Sequence, residues 1–445
     1  MALPTSSAPE AASSAPEAAR SRGNKRWIIV LILLLGGIVN FIDRTALSVA
    51  APHMMSDLHL SNADIGLLGT FFSLIYAVCQ LPAGWLIDKL GARRIYIAAI
   101  IFWSGATMLT GVMKSMLGLI FARALLGVAE APCWPSAAKI TSAWFPKKER
   151  AMATGIWDAS SKWGPAIAPP LLVMIMLATD WRVLFYVAGG AGILFGIILY
   201  IFYRQPEQAR WLSSQELDYI RAGGGGTASA LGSVVQEHKG MRWRDLFRYR
   251  AIWGMILGWF CYIWMFNILS YFVPLYLLKT EHIDLKSAGF LTSLPFFAGI
   301  IGAFIGGWVS KLLVDRNIAS PLTAKRAVIS ICALFGGLAL MAAPFFPGLT
   351  ATIVLLSIGM AMLASVSANG WALPGDVAPR SMVGSVGGIQ NFGGYFAGSL
   401  SPLVTGLIAD ATGSYALAFI SGGLIAACAA VCYWFIVRQP IAVDE

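Results

Sequence analysis

Charge is the scarcest commodity in this chain. Asp, Glu, Lys and Arg make up 12% of 445 residues, while apolar types reach 58% and the mean hydropathy is +0.71. A soluble domain carries about 25% charged residues, so the composition excludes one and predicts a polytopic, all-α integral membrane protein. Histidine is also rare. His53, His59, His238 and His282 fall in loops or at helix ends, so no His-rich metal site can form within the helices. The six cysteines, Cys79, Cys133, Cys261, Cys332, Cys428 and Cys432, lie scattered in apolar segments without a CxxC pair and read as small buried hydrophobes. There is no GxSxG, HExxH, P-loop or cofactor motif, so no enzyme, metal or cofactor is expected. The absence of any N-x-S/T sequon and the short external loops fit a bacterial inner membrane. The formal charge of +10 does not indicate nucleic acid, because the Lys and Arg residues sit in short loops between apolar runs, where they act as topology signals.

What is present divides cleanly. Residues 1–26 open with SSAPEAA twice in tandem, a disordered cytoplasmic tail, and end on the cluster Arg20, Arg22, Lys25 and Arg26. A span needs about 20 residues to cross about 30 Å of hydrocarbon. Twelve such runs fit, starting near Trp27, Asn62, Ile95, Met116, Ala151, Trp181, Ala251, Lys286, Ala327, Leu349, Val383 and Tyr415. One set of loops holds Lys89, Arg93, Arg94, Lys147, Lys148, Arg150, Arg316, Lys325, Arg326 and Arg380, and the positive-inside rule makes that side and both termini cytoplasmic. Residues 204–250 are hydrophilic and form a cytoplasmic central loop between two six-helix bundles, 27–203 and 251–438, with 439–445 a cytoplasmic tail. Gly84-Trp85-Leu86-Ile87-Asp88 in the first half is echoed by Gly307-Trp308-Val309-Ser310-Lys311 in the second, as expected of parallel repeats that rock about a midplane site.

The few charges inside spans must have a use. An ionised side chain at mid-bilayer costs about 2.5–3.5 kcal/mol on insertion scales, so those that persist usually line a water-filled path or a binding cavity. Asp43-Arg44 lies in the first span, and Arg123 and Glu130 share one face of the fourth, seven residues apart. Asp158 and Lys162 are spaced i,i+4 in the fifth. No such residue interrupts the span cores of the second half, so charge handling falls to the first bundle. Asp43 and Glu130 are candidate proton carriers, since low dielectric and a nearby arginine push a carboxyl in opposite directions. Static neutralisation, Asp43 by Arg123 or Glu130 by Arg44, is the competing reading. Arg44 and Arg123 offer guanidinium forks for a carboxylate, Arg44 nearer the cargo and Arg123 more structural.

The stretch Gly84-Trp85-Leu86-Ile87-Asp88-Lys89-Leu90-Gly91-Ala92-Arg93-Arg94 resembles the loop signature of the major facilitator superfamily. More narrowly, Asp43-Arg44, the run Arg123-Ala124-Leu125-Leu126-Gly127-Val128-Ala129-Glu130-Ala131-Pro132, Trp144-Phe145-Pro146 with Glu149-Arg150, and the Gly387/Asn391/Gly394/Gly398/Pro402 series resemble the anion:cation symporter family, which includes bacterial galactonate, glucarate and hexuronate transporters. The resemblance implies two six-helix bundles, one central site, and proton-coupled uptake of an organic anion by alternating access. It makes Asp43 and Glu130 the protonated acids, Tyr76 a contact for a substrate hydroxyl, Asn391 a substrate contact and Trp371 an aromatic wall. Asp88, Arg93 and Arg94 match the cytoplasmic gate, while Lys311 stands where an acid is usual.

Departures from the sugar-acid pattern are specific. Phe41 replaces a tyrosine, Ser161 replaces a substrate-contacting glutamine, and Trp157 adds to a less hydroxylated pocket. Lys162 either meets a second carboxylate or only neutralises Asp158. The second bundle offers neutral contacts: Asn267, Tyr271, Asn369, Trp371, Gln390, Asn391 and Tyr395. Import of a sugar acid (an aldonate, aldarate or hexuronate) with protons is the leading expectation, with membrane lipid as surroundings and a monomer as the working unit. Uptake of a tartrate-like diacid or an aromatic acid such as phthalate, proton-coupled drug efflux, and a transport-dead sensor are the alternatives.

Overall fold

The computed structural model describes residues 23–227, 241–280, 285–346, 348–412 and 415–441. The expected disordered tail falls almost wholly outside these residues, as do His238 and His282. Among the described residues there is no strand. Lipid offers backbone amides no partners, so the apolar runs satisfy them internally as helices.

Eight helices precede the central stretch: α1 (Trp27–Leu58), α2 (Asn62–Leu90), α3 (Ala92–Val112), α4 (Met116–Glu130), α5 (Cys133–Trp144), α6 (Arg150–Asp158), α7 (Ser160–Ala178) and α8 (Trp181–Phe202). α9 (Ser214–Ala222) lies within it, and α10 (Arg250–Thr280), α11 (Leu285–Asp315), α12 (Pro321–Ala342), α13 (Leu349–Ala372), α14 (Pro374–Val377), α15 (Val383–Thr412) and α16 (Ala416–Val431) follow. Short polar residues set several starts. Ser61 and Asp64 form a reciprocal capping box on α2, Asp180 accepts from two amides of α8, and Ser213 and Ser320 cap α9 and α12.

Among the described residues, ten helical segments are long and apolar enough to cross a membrane. Two further expected spans, α6 with α7 and α15, are also helical. The expected starts at Ile95 and Ala327 were late. α3 begins at Ala92 and α12 at Pro321, so Arg93, Arg94, Lys325 and Arg326 are helical residues rather than loop residues. Arg94 is exposed and Arg93 half-buried, whereas Lys325 and Arg326 are buried, Lys325 on Asp376 and Arg326 on the carbonyls of Tyr433 and Trp434. The fourth span bends at Ala131-Pro132, where proline removes a backbone donor.

Helices α1–α8 pack mainly on one another, as do α10–α16. The two sets meet along α2 and α15, α5 and α15, and α6 with α11 and α13. Glycine permits the closest crossing. A Cβ on Gly388 would lie 2.4 Å from the Gln80 carbonyl oxygen, and one on Gly84 would lie 2.5 Å from that of Gly384.

The described ends of the chain share one face. Arg26 binds Glu149 of the α5–α6 turn bidentately, at 2.9 and 3.1 Å, and Glu216 of α9 at 2.9 Å. The Ile441 amide donates to the Val377 carbonyl on α14. Burial alone would lower the Arg26 pKa, but Glu149 and Glu216 outweigh it and hold the guanidinium above its ordinary value, so this clamp persists at physiological pH. The central stretch is fastened at its described residues up to Gly226, whose amide donates to the Ala143 carbonyl, while the Lys147 amide donates to that of Gly223.

Candidate functional site

Arg44 is the hub of the interior. Its Nε donates to Glu130 Oε2 at 2.7 Å and its Nη1 donates to the Tyr395 hydroxyl at 2.7 Å, so one guanidinium joins α1, α4 and α15. Four rings surround it, with centroids 5.5 Å (Phe41), 5.2 Å (Phe72), 4.8 Å (Tyr76) and 5.9 Å (Tyr395) from Cζ. Tyr76 and Tyr395 meet across the two halves with centroids 4.2 Å apart. Asn391 donates to the Tyr76 hydroxyl at 3.4 Å and accepts from Trp259 Nε1 at 3.3 Å.

Beyond Phe41 an aromatic wall begins. Trp134 lies 6.0 Å from Phe41, 5.4 Å from Trp157 and 6.1 Å from Trp371, and Trp371 lies 5.3 Å from Trp259. Trp157 donates to Thr141 Oγ1 at 3.0 Å, which fixes its ring. Past this wall, Lys162 and Asp158 form a fully buried ion pair at 2.9 Å.

The acid partners differ. Glu130 is paired with Arg44, as the static alternative required for that couple. Asp43 is not paired with Arg123. It is buried facing Trp103, Thr107, Arg123 and Glu130, yet neither carboxylate oxygen accepts a hydrogen bond from the described residues. Arg123 lies 5.8 Å over the Phe185 ring. A buried carboxylate without donors is costly while ionised, and protonation relieves that cost.

The structure thus gathers Arg44, Glu130, Tyr76, Trp157, Trp371 and Asn391 around one centre with Asp43 and Arg123 behind. Two expected residues stand apart. Asn267 packs at Gly398, two turns along α15 from Asn391, and the Ser161 hydroxyl donates to the Asp158 carbonyl at 2.8 Å.

The expected gate is rebuilt. Asp88 does not pair with Arg93 or Arg94. Its Oδ1 accepts from Lys139 Nζ at 2.5 Å and from the Gly384 amide at 2.9 Å, while Oδ2 accepts from the Ser385 amide at 2.6 Å. A carboxylate on the first turn of α15 is favoured by the helix dipole and its free amides. Arg93 instead donates to the Tyr200 carbonyl at 3.1 Å within its own half, and Arg94 is exposed.

Sequence reasoning missed other cross-half links. Lys148 meets Asp315 at 2.9 Å, and Arg150 meets Asp376 at 2.7 Å, with Lys325 also on Asp376. Counted only as topology signals, these cations gave no sign of partners in the other half. Trp134 and Trp259 were missed as well, since a tryptophan in an apolar span carries no periodic mark of its role.

The Major Facilitator Superfamily profile matches residues 33–402. A D-galactonate transporter of Escherichia coli O6:H1 is 33% identical, covering 90% of this chain and 93% of that protein. A probable L-galactonate transporter of Escherichia coli K12 is also 33% identical (93% and 89% covered). A probable sulfoacetate transporter of Cupriavidus necator is 32% identical (91% and 93%). Among solved structures, the transporter FucP in its outward conformation superposes with a TM-score of 0.68 at 14% identity, covering 93% of this chain and 100% of that one. The proton:xylose symporter XylE does so with 0.71 at 15% identity, covering 94% and 97%. With its all-helical fold, apolar spans and these likenesses over most of its length, the chain belongs to the Major Facilitator Superfamily of multi-pass membrane transporters.

Proposed function

We propose that this transporter imports an organic carboxylate together with protons across a bacterial inner membrane, as a monomer of twelve spans in two six-helix bundles with both termini cytoplasmic. One observation carries the reading: the partly buried Arg44 guanidinium bridges Glu130 in one half and Tyr395 in the other. An incoming carboxylate takes the fork of donors that Glu130 vacates, and Glu130 leaves by accepting a proton. Asp43 provides a second protonation position beside it, and Arg123 positions the two acids. Tyr76, Asn391 and Tyr395 meet the cargo's polar groups, and Trp157 and Trp371 form its wall. Asp88 on α15 and the charge links at the basic side hold the cytoplasmic ends of the two halves together, as an outward-facing member of the cycle requires. Protons driven by outside acid enter with the anion, the halves rock, and the alkaline cytoplasm strips them. Each net charge moved inward gains about 2.3 kcal/mol per 100 mV.

Sugar acids lead as cargo because relatives over the whole chain are named for galactonate and for galactarate/D-glucarate. The second reading, a tartrate-like diacid or an aromatic acid, draws on the tryptophan wall and the extra Lys162, which suit a less hydroxylated anion with a second charge.

The test is uptake into proteoliposomes of galactonate, galactarate, a hexuronate, tartrate, sulfoacetate and phthalate, with acid outside. Accumulation that collapses with a protonophore supports proton-coupled import and names the cargo class. Movement of a cationic drug with no anion moving under any gradient would overturn it in favour of efflux.

A further inference from the structure

Asp158 and Lys162 sit at a break in the chain's path through the membrane. Asp158 ends α6, Ala159 turns its amide back to Gly155 and Trp157, and Lys162 lies in the first turn of α7. Both side chains are buried, with 2% and 1% of their surface exposed. A buried ion pair is often no more stable than apolar side chains of the same volume. Its presence at a helix break calls for a use other than holding the fold.

The pair faces the other half of the molecule. Lys162 Nζ lies 5.8 Å from the centroid of Phe266 on α10, and a Cβ on Gly299 of α11 would touch both Lys162 and Met360 of α13. Tyr262 of α10 lies within the field of Asp158 and near Ser367. These elements belong to the half that must part from α6 and α7 when the protein opens. In chain order, the residue before Asp158 is Trp157, the ring that joins this corner to Trp134, Phe41 and so to Arg44. Two cations, each held by one acid, therefore stand at either end of one aromatic wall.

We propose that Lys162 is a second, dissociable anion pole of the transport site and that the cargo is a compact dianion, with one acidic group on Arg44 and the other on Lys162 in place of Asp158. This rests on the proton-coupled carboxylate import proposed above. Charge balance follows: the dianion displaces Glu130 from Arg44 and Asp158 from Lys162, and each displaced carboxylate takes one proton. Two protons and one dianion then enter, and no net charge crosses.

The experiment compares galactarate with galactonate, which share a six-carbon frame and differ in the second carboxylate, and phthalate with benzoate. Uptake is measured in proteoliposomes at fixed proton gradient, with the membrane potential clamped by potassium and valinomycin. The wild type is expected to take up a dianion with a KM at least about tenfold below that of its monoanion partner, at a rate that does not change with potential. Lys162→Met is expected to abolish that preference, and Lys162→Arg to restore it. If the Met variant does not fold, competition by galactarate against galactonate uptake in the wild type reads the same preference. Proton-driven uptake that favours the monoanion, or a Met variant that loses both partners equally, overturns the dianion pole and leaves proton-coupled import standing. No uptake of any carboxylate overturns both.

Discussion

At the scale of single residues, Arg44 is the strongest point of leverage. Its guanidinium uses two edges at once, one for Glu130 and one for Tyr395, and a lysine ammonium cannot fill both positions from the same stem. Arg44→Lys is therefore expected to keep the charge yet lower the initial uptake rate by about tenfold or more, the equivalent of about 1.4 kcal/mol. Glu130→Gln separates binding from coupling. The variant keeps a hydrogen-bonding partner for Arg44 but cannot gain or lose a proton. It should exchange labelled substrate across the membrane at near the wild-type rate and fail to accumulate it against a gradient. If accumulation persists, Glu130 is not the coupling acid and Asp43 alone takes that role.

At the scale of elements, function depends on helices that touch without side chains between them. α2 and α15 cross at Gly84, Gly384 and Gly388, close enough for Asp88 to cap the first turn of α15. A larger residue at Gly388 meets backbone, which cannot give way as a flexible side chain would. Gly388→Val is expected to bar this closed arrangement, leaving protein that inserts and purifies but transports below about a tenth of the wild-type rate. Thiol labelling of cysteines placed at the basic ends of α2 and α15 should rise in that variant, and unchanged labelling would mean the crossing adapts. The helix break at Ala159 is an element-scale feature too, since the Ser161 hydroxyl satisfies the Asp158 carbonyl there.

At the scale of the molecule, the two halves are latched on the basic side by charges drawn from segments far apart in sequence. Asp376 neutralises both Arg150 and Lys325, so removing it leaves two buried cations without a counter-charge. Breaking a buried pair costs about 3–5 kcal/mol. Asp376→Asn should shift the population away from this state by about a hundredfold or more, read as a longer spin-label distance between exposed positions 89 and 381. Much of the architecture was legible beforehand because lipid imposes a one-dimensional rule: apolar runs of sufficient length become spans, and basic loops orient them. The Asp158–Lys162 pair was legible for the same reason, being local and set by helical spacing. The partner of Arg93 was not legible, because it lies on another helix: α3 carries Arg93 to the Tyr200 carbonyl of α8. By itself the sequence determined the helical membrane fold, the confinement of charge within span cores to the first half and the identity of the candidate acids and arginines. Only the tertiary structure decided which acid holds which cation, that Asp43 stands without a hydrogen-bond donor among the described residues, and that four tryptophans from both halves form one wall. Those outcomes depend on distances between helices, since Coulomb energy changes as 1/r and ring contacts need near approach, and no spacing along the chain encodes such distances.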